Sequence, residues 1–418
     1  MQFRTKPPIF TRVVPPDNVL PLAATNARYV AMLDADVQRL LQCLIEQPAC
    51  RPDEFTNVDA DRFLYVLDCH RLTNVVYQHT KNALPFSGVI QERLKAKDAQ
   101  NRLRQLGFVA ELCRVLKLLQ ENHIEAISLK GPLLSHRHYG DYALRECKDL
   151  DILVRPTDFQ AAYKLLTTNG YQLSEVLWNS PKQEIVYRQT FYHYDLYHAG
   201  RAVQLELHWR LNGTGYDVES IWANSVTYLL GFFPVRSLSA ADTFIYLCQH
   251  GGTHQWKRLF WLLDVARIIG QESPDFLVDT YQQAVEQGRD RYVLSGCRLA
   301  HVLLGVSLPP LLEEAIRQDE SIEKLTETSI FWINAVTESY ENPVASPQTF
   351  QLSVGRFTNA YRSVFYLEGY RGIGTRIRHF FVNPAYWRVI SFHDRLFALN
   401  YMAAPFLWAY SIFRKKPQ

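Results

Sequence analysis

The sequence predicts an α+β protein, in which a small mixed β-sheet is flanked by N-terminal helices and a C-terminal helical domain. Two patterns carry that expectation. Apolar residues recur at helical spacing from Asp34 to Asn122, and again from Ala240 to Val336. Between them, short alternating runs at Asp149–Val154, Phe191–Tyr197 and Val203–Trp209 read as strands. The expected units are an extended segment 1–27, a helical region 28–122, an α/β core 123–235, a helical domain 236–340, and a linker with a helical tail 341–418.

Each element has a local reason. Pro7, Pro8, Pro15, Pro16 and Pro21 favour an extended N-terminus. Leu103, Leu106, Val109, Leu112, Val115, Leu116 and Leu119 mark a long helix that ends at Asn122-His123, with a short strand over Ile124–Leu129. Asp149–Val154 puts Leu150, Ile152 and Val154 on one face and Asp149 and Asp151 on the other. Pro156-Thr157-Asp158 opens a helix that Gly170 closes. His198-Ala199-Gly200-Arg201 joins the next two strands into a hairpin. On its second strand Gln204, Glu206 and His208 share a face, opposite Val203, Leu205, Leu207 and Trp209. Glu341–Pro347 reads as a linker, and the segment beyond it is rich in aromatics and arginine.

Composition narrows the function classes. A chain of 418 residues is long enough for two or three units, at about 150 residues per domain. With 47% hydrophobic and 21% charged residues it has the makeup of a soluble globular protein. A net charge of +3 gives no strong nucleic-acid signal. Seven scattered cysteines, with no Cys-x-x-Cys pair, suit reduced thiols and a cytoplasmic setting. The polar, proline-bearing N-terminus does not read as a signal peptide. Leu396–Phe413 is mostly apolar, is broken by Asn400 and Pro405, and runs into Arg414-Lys415-Lys416. It is expected either as a docked helix or as a peripheral membrane contact.

The chemistry concentrates in Ser128–Val154. In a strand, Asp149 and Asp151 lie on one face about 6.6 Å apart. Glu206, on a neighbouring strand, is expected to join them. Three carboxylates suit two magnesium ions, with manganese as the alternative; such ions activate an attacking oxygen and stabilise leaving pyrophosphate. Lys130-Gly131 precedes the acids as a candidate phosphate turn, and Arg145 as a clamp for phosphate or carboxylate. The plainer reading of any Asp-x-Asp is a strand end or a turn.

The motif Leu129-Lys130-Gly131, then Tyr139, Arg145, Asp149-Leu150-Asp151-Ile152-Leu153-Val154 and Gly170-Tyr171, resembles the DNA polymerase β-type nucleotidyltransferase superfamily. Leu205-Glu206-Leu207-His208-Trp209, and the stretch from His250 through His254, Trp256, Leu259 and Trp261 to Asp264, resemble its bacterial branch labelled "uncharacterised nucleotidyltransferase". The likeness covers roughly residues 95 to 270. It implies Lys130 and Gly131 for phosphate, and Asp149, Asp151 and Glu206 for metal. One departure stands out: Gly131 is followed by Pro132, which removes a backbone N–H from the phosphate turn.

His250, His254, Lys257, Trp261 and Asp264 would form one stripe if 250–264 were a continuous helix. Three readings stay open: a polar stripe facing the acids, with His254 and Lys257 at the nucleotide and Lys257 or Arg258 neutralising phosphate; a zinc site; or histidines satisfied in packing. Gly251-Gly252 weakens the continuous-helix premise. His193 and Asp195 share a strand face that could border the cleft. Arg356, Arg362, Arg371, Arg376, Arg378 and Arg388 suit RNA, acidic lipid, an anionic substrate or a solvated surface.

The expected activity is metal-dependent transfer of a nucleoside monophosphate from a nucleoside triphosphate, ATP first, to a small-molecule hydroxyl acceptor. The alternatives are a protein or tRNA acceptor, and an inactive nucleotide-binding module.

Overall fold

The computed structural model describes residues 24–45, 58–82, 88–175, 177–212, 217–337 and 348–413. Among them lies a seven-stranded mixed sheet of β1 (Ala126–Ser128), β2 (Asp149–Val154), β3 (Gln172–Leu173), β4 (His193–His198), β5 (Val203–His208), β6 (Val226–Leu230) and β7 (Phe233–Ser237). The strand order is β3-β4-β5-β2-β1-β7-β6. β2 runs antiparallel to β1 and parallel to β5, whereas β4 and β5 form the expected antiparallel hairpin. β6 and β7 pair as a second hairpin that the sequence reading did not single out, and β7 closes onto β1 in parallel.

The apolar face of β2 and β5 packs on the long helix Gly88–Glu121. Leu150, Ile152, Val154, Leu205 and Leu207 meet Phe108, Leu112, Val115 and Leu119 in one core. The helix departs from expectation at Leu103 and Leu106, which are 74% and 51% exposed. The buried stripe instead runs through Ile90, Leu94, Asp98, Gln105 and Phe108. Two polar residues hold stripe positions because each has partners. Gln105 bonds both the carbonyl and the N–H of Cys147, and Asp98 pairs with Arg102.

The N-terminal helices Ala35–Ile45, Ala60–His70 and Thr73–Thr80 share one apolar core with the helices from Ala240 to Ala335. Val37, Phe63 and Val76 pack in the same cluster as Phe244, Leu262 and Val293. Two regions far apart in sequence therefore form one helical body beside the sheet. A smaller cluster, with Ile127, Leu153, Trp222 and Tyr246, joins the sheet's other face to that body. The acids lie on this second face.

Most of the expected extended segment and the whole 341–347 linker fall outside the described residues, and a helix starts at Ala24. The tail holds the helix Gln348–Phe381, with non-helical backbone at Gly369, followed by Pro384–Val389 and Ala398–Phe413. The last helix buries Ala404 and Leu407 but leaves Met402, Phe406 and Tyr410 exposed at a four-residue repeat. Among the described residues no helix is long and apolar enough to cross a membrane.

Candidate active site

The register of β2 against β5 builds the centre of the site. Asp151 lies directly beside Glu206, and Asp149 beside Gln204. Strand spacing of about 4.8 Å fixes the carboxylates more tightly than a loop could. On the next strand, Asp195 stands beside Glu206 and His193 beside His208. The expected convergence of Asp149, Asp151 and Glu206 is what the structure shows: all three line one cavity of about 230 Å³.

Cations hold this acid row. Lys130 Nζ lies 2.8 Å from Asp151 Oδ1. His208 Nε2 lies 3.2 Å from Glu206 Oε2 and 3.5 Å from Asp151 Oδ1. Burial works against the Lys130 charge, yet Asp151, Glu206 and Asp149 outweigh it and keep its pKa above the ordinary lysine value. Burial likewise opposes charge on His208, but its contacts with Asp151 and Glu206 prevail and raise it to about 9. His208 is therefore an imidazolium at neutral pH. Against the same desolvation, Lys130 lowers Asp151, and His208, His193 and Lys130 lower Glu206. Asp149 differs. Burial and the neighbouring Asp151 raise it to about 6, and no described residue forms an ion pair or hydrogen bond with its carboxylate. An unpaired carboxylate beside two paired ones, in an all-oxygen acidic set, fits a hard divalent cation.

The Lys130-Gly131 turn, expected to hold phosphate, leads straight into a helix. Gly131 has φ 76° and ψ −144°, a conformation that only glycine adopts without strain. A Cβ there would meet Leu150 at 3.9 Å, an ordinary contact, so backbone conformation and not space demands the glycine. Pro132 starts the helix Pro132–Tyr139 at a position whose N–H has no helical partner anyway. It therefore costs the fold nothing, and the N–H groups of the following residues remain at the helix start. The Lys130 side chain turns to Asp151, within the cavity wall.

Arg145 also lines the cavity but is buried against Asp264, its Nε 3.0 and 2.9 Å from the two carboxylate oxygens. Tyr139 donates to the same carboxylate at 2.7 Å. The Arg145 guanidinium lies over the Phe260 ring, 5.2 Å from the centroid. Arg145 thus ties the segment before β2 to the helical body.

The continuous helix over 250–264 is not formed. Ala240–Thr253 and Leu259–Gln271 are separate helices, with Gln255 and Trp256 at φ 54° and 53° between them. The glycines are not the weak point. Gly251 stays helical, and a Cβ on it would fall 2.2 Å from the Trp256 ring. The chain reverses so that Trp256 can pack there, its N–H bonding to the Gly251 carbonyl at 2.8 Å. The reversal still brings His250, His254, Lys257 and Trp261 to the acid cavity. His254 stacks on Trp261 at 5.1 Å, with His250 edge-on at 5.2 Å. Burial lowers both histidines, His254 to about 3, so both are neutral. Asp264 is committed to Arg145, which removes the acid from the zinc reading. The tight metal-type grouping found among the described residues is instead His193, Glu206 and His208, whose ligand atoms lie within 4.8 Å of one another.

Of the cations in this cavity, the sequence reading missed Arg71. Arg71 lines the same cavity as the acids, together with Lys257 and Arg258. Arg71 sits in the left-handed cap of Ala60–His70, and Arg258 precedes Leu259–Gln271 while donating to the Cys69 carbonyl at 2.9 Å. Burial, and then the Arg258 charge, lower Arg71 to about 10. Nothing local marks Arg71 as functional, because a folded helical body brings it there. His208 was placed on the acid face by strand alternation, but its contact with Asp151 needed the β2–β5 register. No curated protein matches the chain. Residues 56–305, more than half of its length, match the profile of the uncharacterised nucleotidyltransferase family, and the chain belongs to that family.

Proposed function

We propose that this nucleotidyltransferase moves a nucleoside monophosphate from a nucleoside triphosphate, ATP first, to a hydroxyl acceptor, with release of pyrophosphate. The observation that carries the reading is a two-signed cavity. Asp149, Asp151 and Glu206 line it together with Arg71, Lys257 and Arg258. A metal–triphosphate complex has that same polarity. Magnesium, or manganese, would be held by Asp149, Asp151 and Glu206; when bound it would polarise the α-phosphate and lower the pKa of the acceptor hydroxyl.

The chain's own residues do the rest. Lys130 and His208 keep Asp151 and Glu206 ionised and fixed before substrate arrives. Arg71, Lys257 and Arg258 would take up the charge of the β- and γ-phosphates. His254 and Trp261 offer a flat, neutral surface at the cavity edge. A carboxylate held as low as Glu206 is a poor proton acceptor, which favours its role as ligand over base.

One observation favours a second reading, an inactive nucleotide-binding module. Lys130 and His208 already neutralise two of the three acids. Incubation with labelled triphosphate, magnesium and cell extract separates the two. Transfer predicts a labelled product and pyrophosphate, both absent from Asp149→Asn/Asp151→Asn, by a factor of about 10³ or more. Undiminished pyrophosphate release from that double variant would refute the assignment. Transfer to protein or tRNA would show as label in macromolecules.

A further inference from the structure

A second cavity, about 590 Å³, adjoins the first, and His254 lines both. Tyr192 on its wall stacks against His208, with ring centroids 5.7 Å apart, and so borders the acid row. The lining is strongly basic. Arg210 comes from the turn after β5, and Arg376 and Arg378 from the helix Gln348–Phe381. Arg210 is braced by bonds to the carbonyls of Gln189 and Phe191 at 3.0 and 2.8 Å. No described carboxylate pairs with Arg376 or Arg378. Glu368, the acid among the described lining residues, instead accepts a hydrogen bond from Tyr292. The His379 ring stacks on Phe191 at 5.1 Å and closes one side with a flat face.

We infer that this second cavity is the acceptor site, and that the acceptor is a small anionic hydroxyl compound bearing a phosphate or carboxylate group. Among the described lining residues three guanidiniums face a single carboxylate, Glu368, and the excess positive charge calls for water or an anion to compensate it. Their forked donors match phosphate and carboxylate oxygens. The like charge is felt: burial lowers the Arg210 pKa and the Arg378 charge lowers it further. Anchoring the anionic end at Arg210, Arg376 and Arg378 leaves the hydroxyl end to pass Tyr192 and His254 toward Glu206. In the transfer, the acceptor oxygen bonds to the α-phosphorus as the bond to the α–β bridging oxygen breaks. Pyrophosphate leaves with that electron pair, and the hydroxyl proton goes to solvent. The acceptor role rests on the nucleotidyl-transfer reading, whereas the anion site does not.

The test uses the full chain and calorimetry with ribose 5-phosphate, gluconate and ribose as probes. An anionic probe should bind and neutral ribose should not, and the better probe tells phosphate from carboxylate. Arg376→Gln/Arg378→Gln should weaken that binding about tenfold or more, as expected for lost charged hydrogen bonds. Arg71→Gln should leave it unchanged. Equal binding of ribose, no binding of either anion at millimolar concentration, or a loss that follows Arg71 instead of Arg376 and Arg378 overturns the anion site. Magnesium-dependent ATP binding, lost in Asp149→Asn and kept in Arg376→Gln/Arg378→Gln, reads the nucleotide cavity separately. Anion binding that depends on Arg376 and Arg378, in a chain that releases no pyrophosphate with any extract, overturns the acceptor role.

Discussion

The acidic and the basic linings of the first cavity are built in different ways. The acid wall comes from two paired strands, with Asp151 and Glu206 side by side in register. The basic wall comes from a helix cap at Arg71 and a chain reversal before Leu259, segments nearly two hundred residues apart in sequence. Chelation tolerates errors of only tenths of an ångström, so it calls for the rigid repeat of a strand. Under the proposed function, neutralising phosphate is a longer-range task that several cations on caps and turns can share.

That contrast can be broken experimentally. The largest loss is expected on the acid wall, in the double aspartate variant described above. On the basic wall Arg71→Gln should cost about ten- to a hundredfold in kcat/KM, because Lys257 and Arg258 still act. Steady-state kinetics over a range of ATP concentrations would show it. A loss equal to that of the aspartates would mean that Arg71 is not one of several interchangeable charges.

Gly251→Ala tests the reversal that delivers the basic wall. Alanine favours a helix by about 1 kcal/mol over glycine. A methyl 2.2 Å from the Trp256 ring must outweigh that gain. Urea unfolding should therefore show a net loss of about 1–3 kcal/mol. A stabilised variant would show that Trp256 does not pack there.

Acid should loosen the helical body behind that wall. Burial lowers His70 to about 3, and His79 and His138 to about 4. Above the unfolded value near 6.5 each is neutral in both states, and its stabilising effect is fully present. As pH falls below that value the unfolded chain gains protons that the folded chain refuses. Stability should drop from pH 6.5 toward 4, with a slope of about 1.4 kcal/mol per pH unit for each histidine. Denaturant midpoints across that range, compared with a His79→Gln variant of shallower slope, would check it. The smallest effect concerns the tail. If Met402, Phe406 and Tyr410 contact membranes, Phe406→Ser should lower flotation with anionic vesicles several-fold and leave pyrophosphate release unchanged.

Strand alternation in the sequence was enough to place Asp149 and Asp151 on one face, and Gln204, Glu206 and His208 on another. It identified the β4–β5 hairpin and the long helix ahead of the sheet. It misjudged the helix's inner face at Leu103 and Leu106, because Asp98 and Gln105 find buried partners that periodicity does not register. It left open whether 250–264 forms one helix, and it suspected the glycines and not the Trp256 reversal, because a Trp-to-Gly contact that reverses the chain leaves no local pattern. Arg71 carried no signal at all.

The primary structure by itself determined the spacing of the acids, since side-chain direction along a strand follows from backbone geometry alone. Only the tertiary structure decided which cations face them, and that a second, arginine-lined cavity opens beside them. Those choices depend on packing between segments distant in the chain, and such packing is settled by the whole core at once.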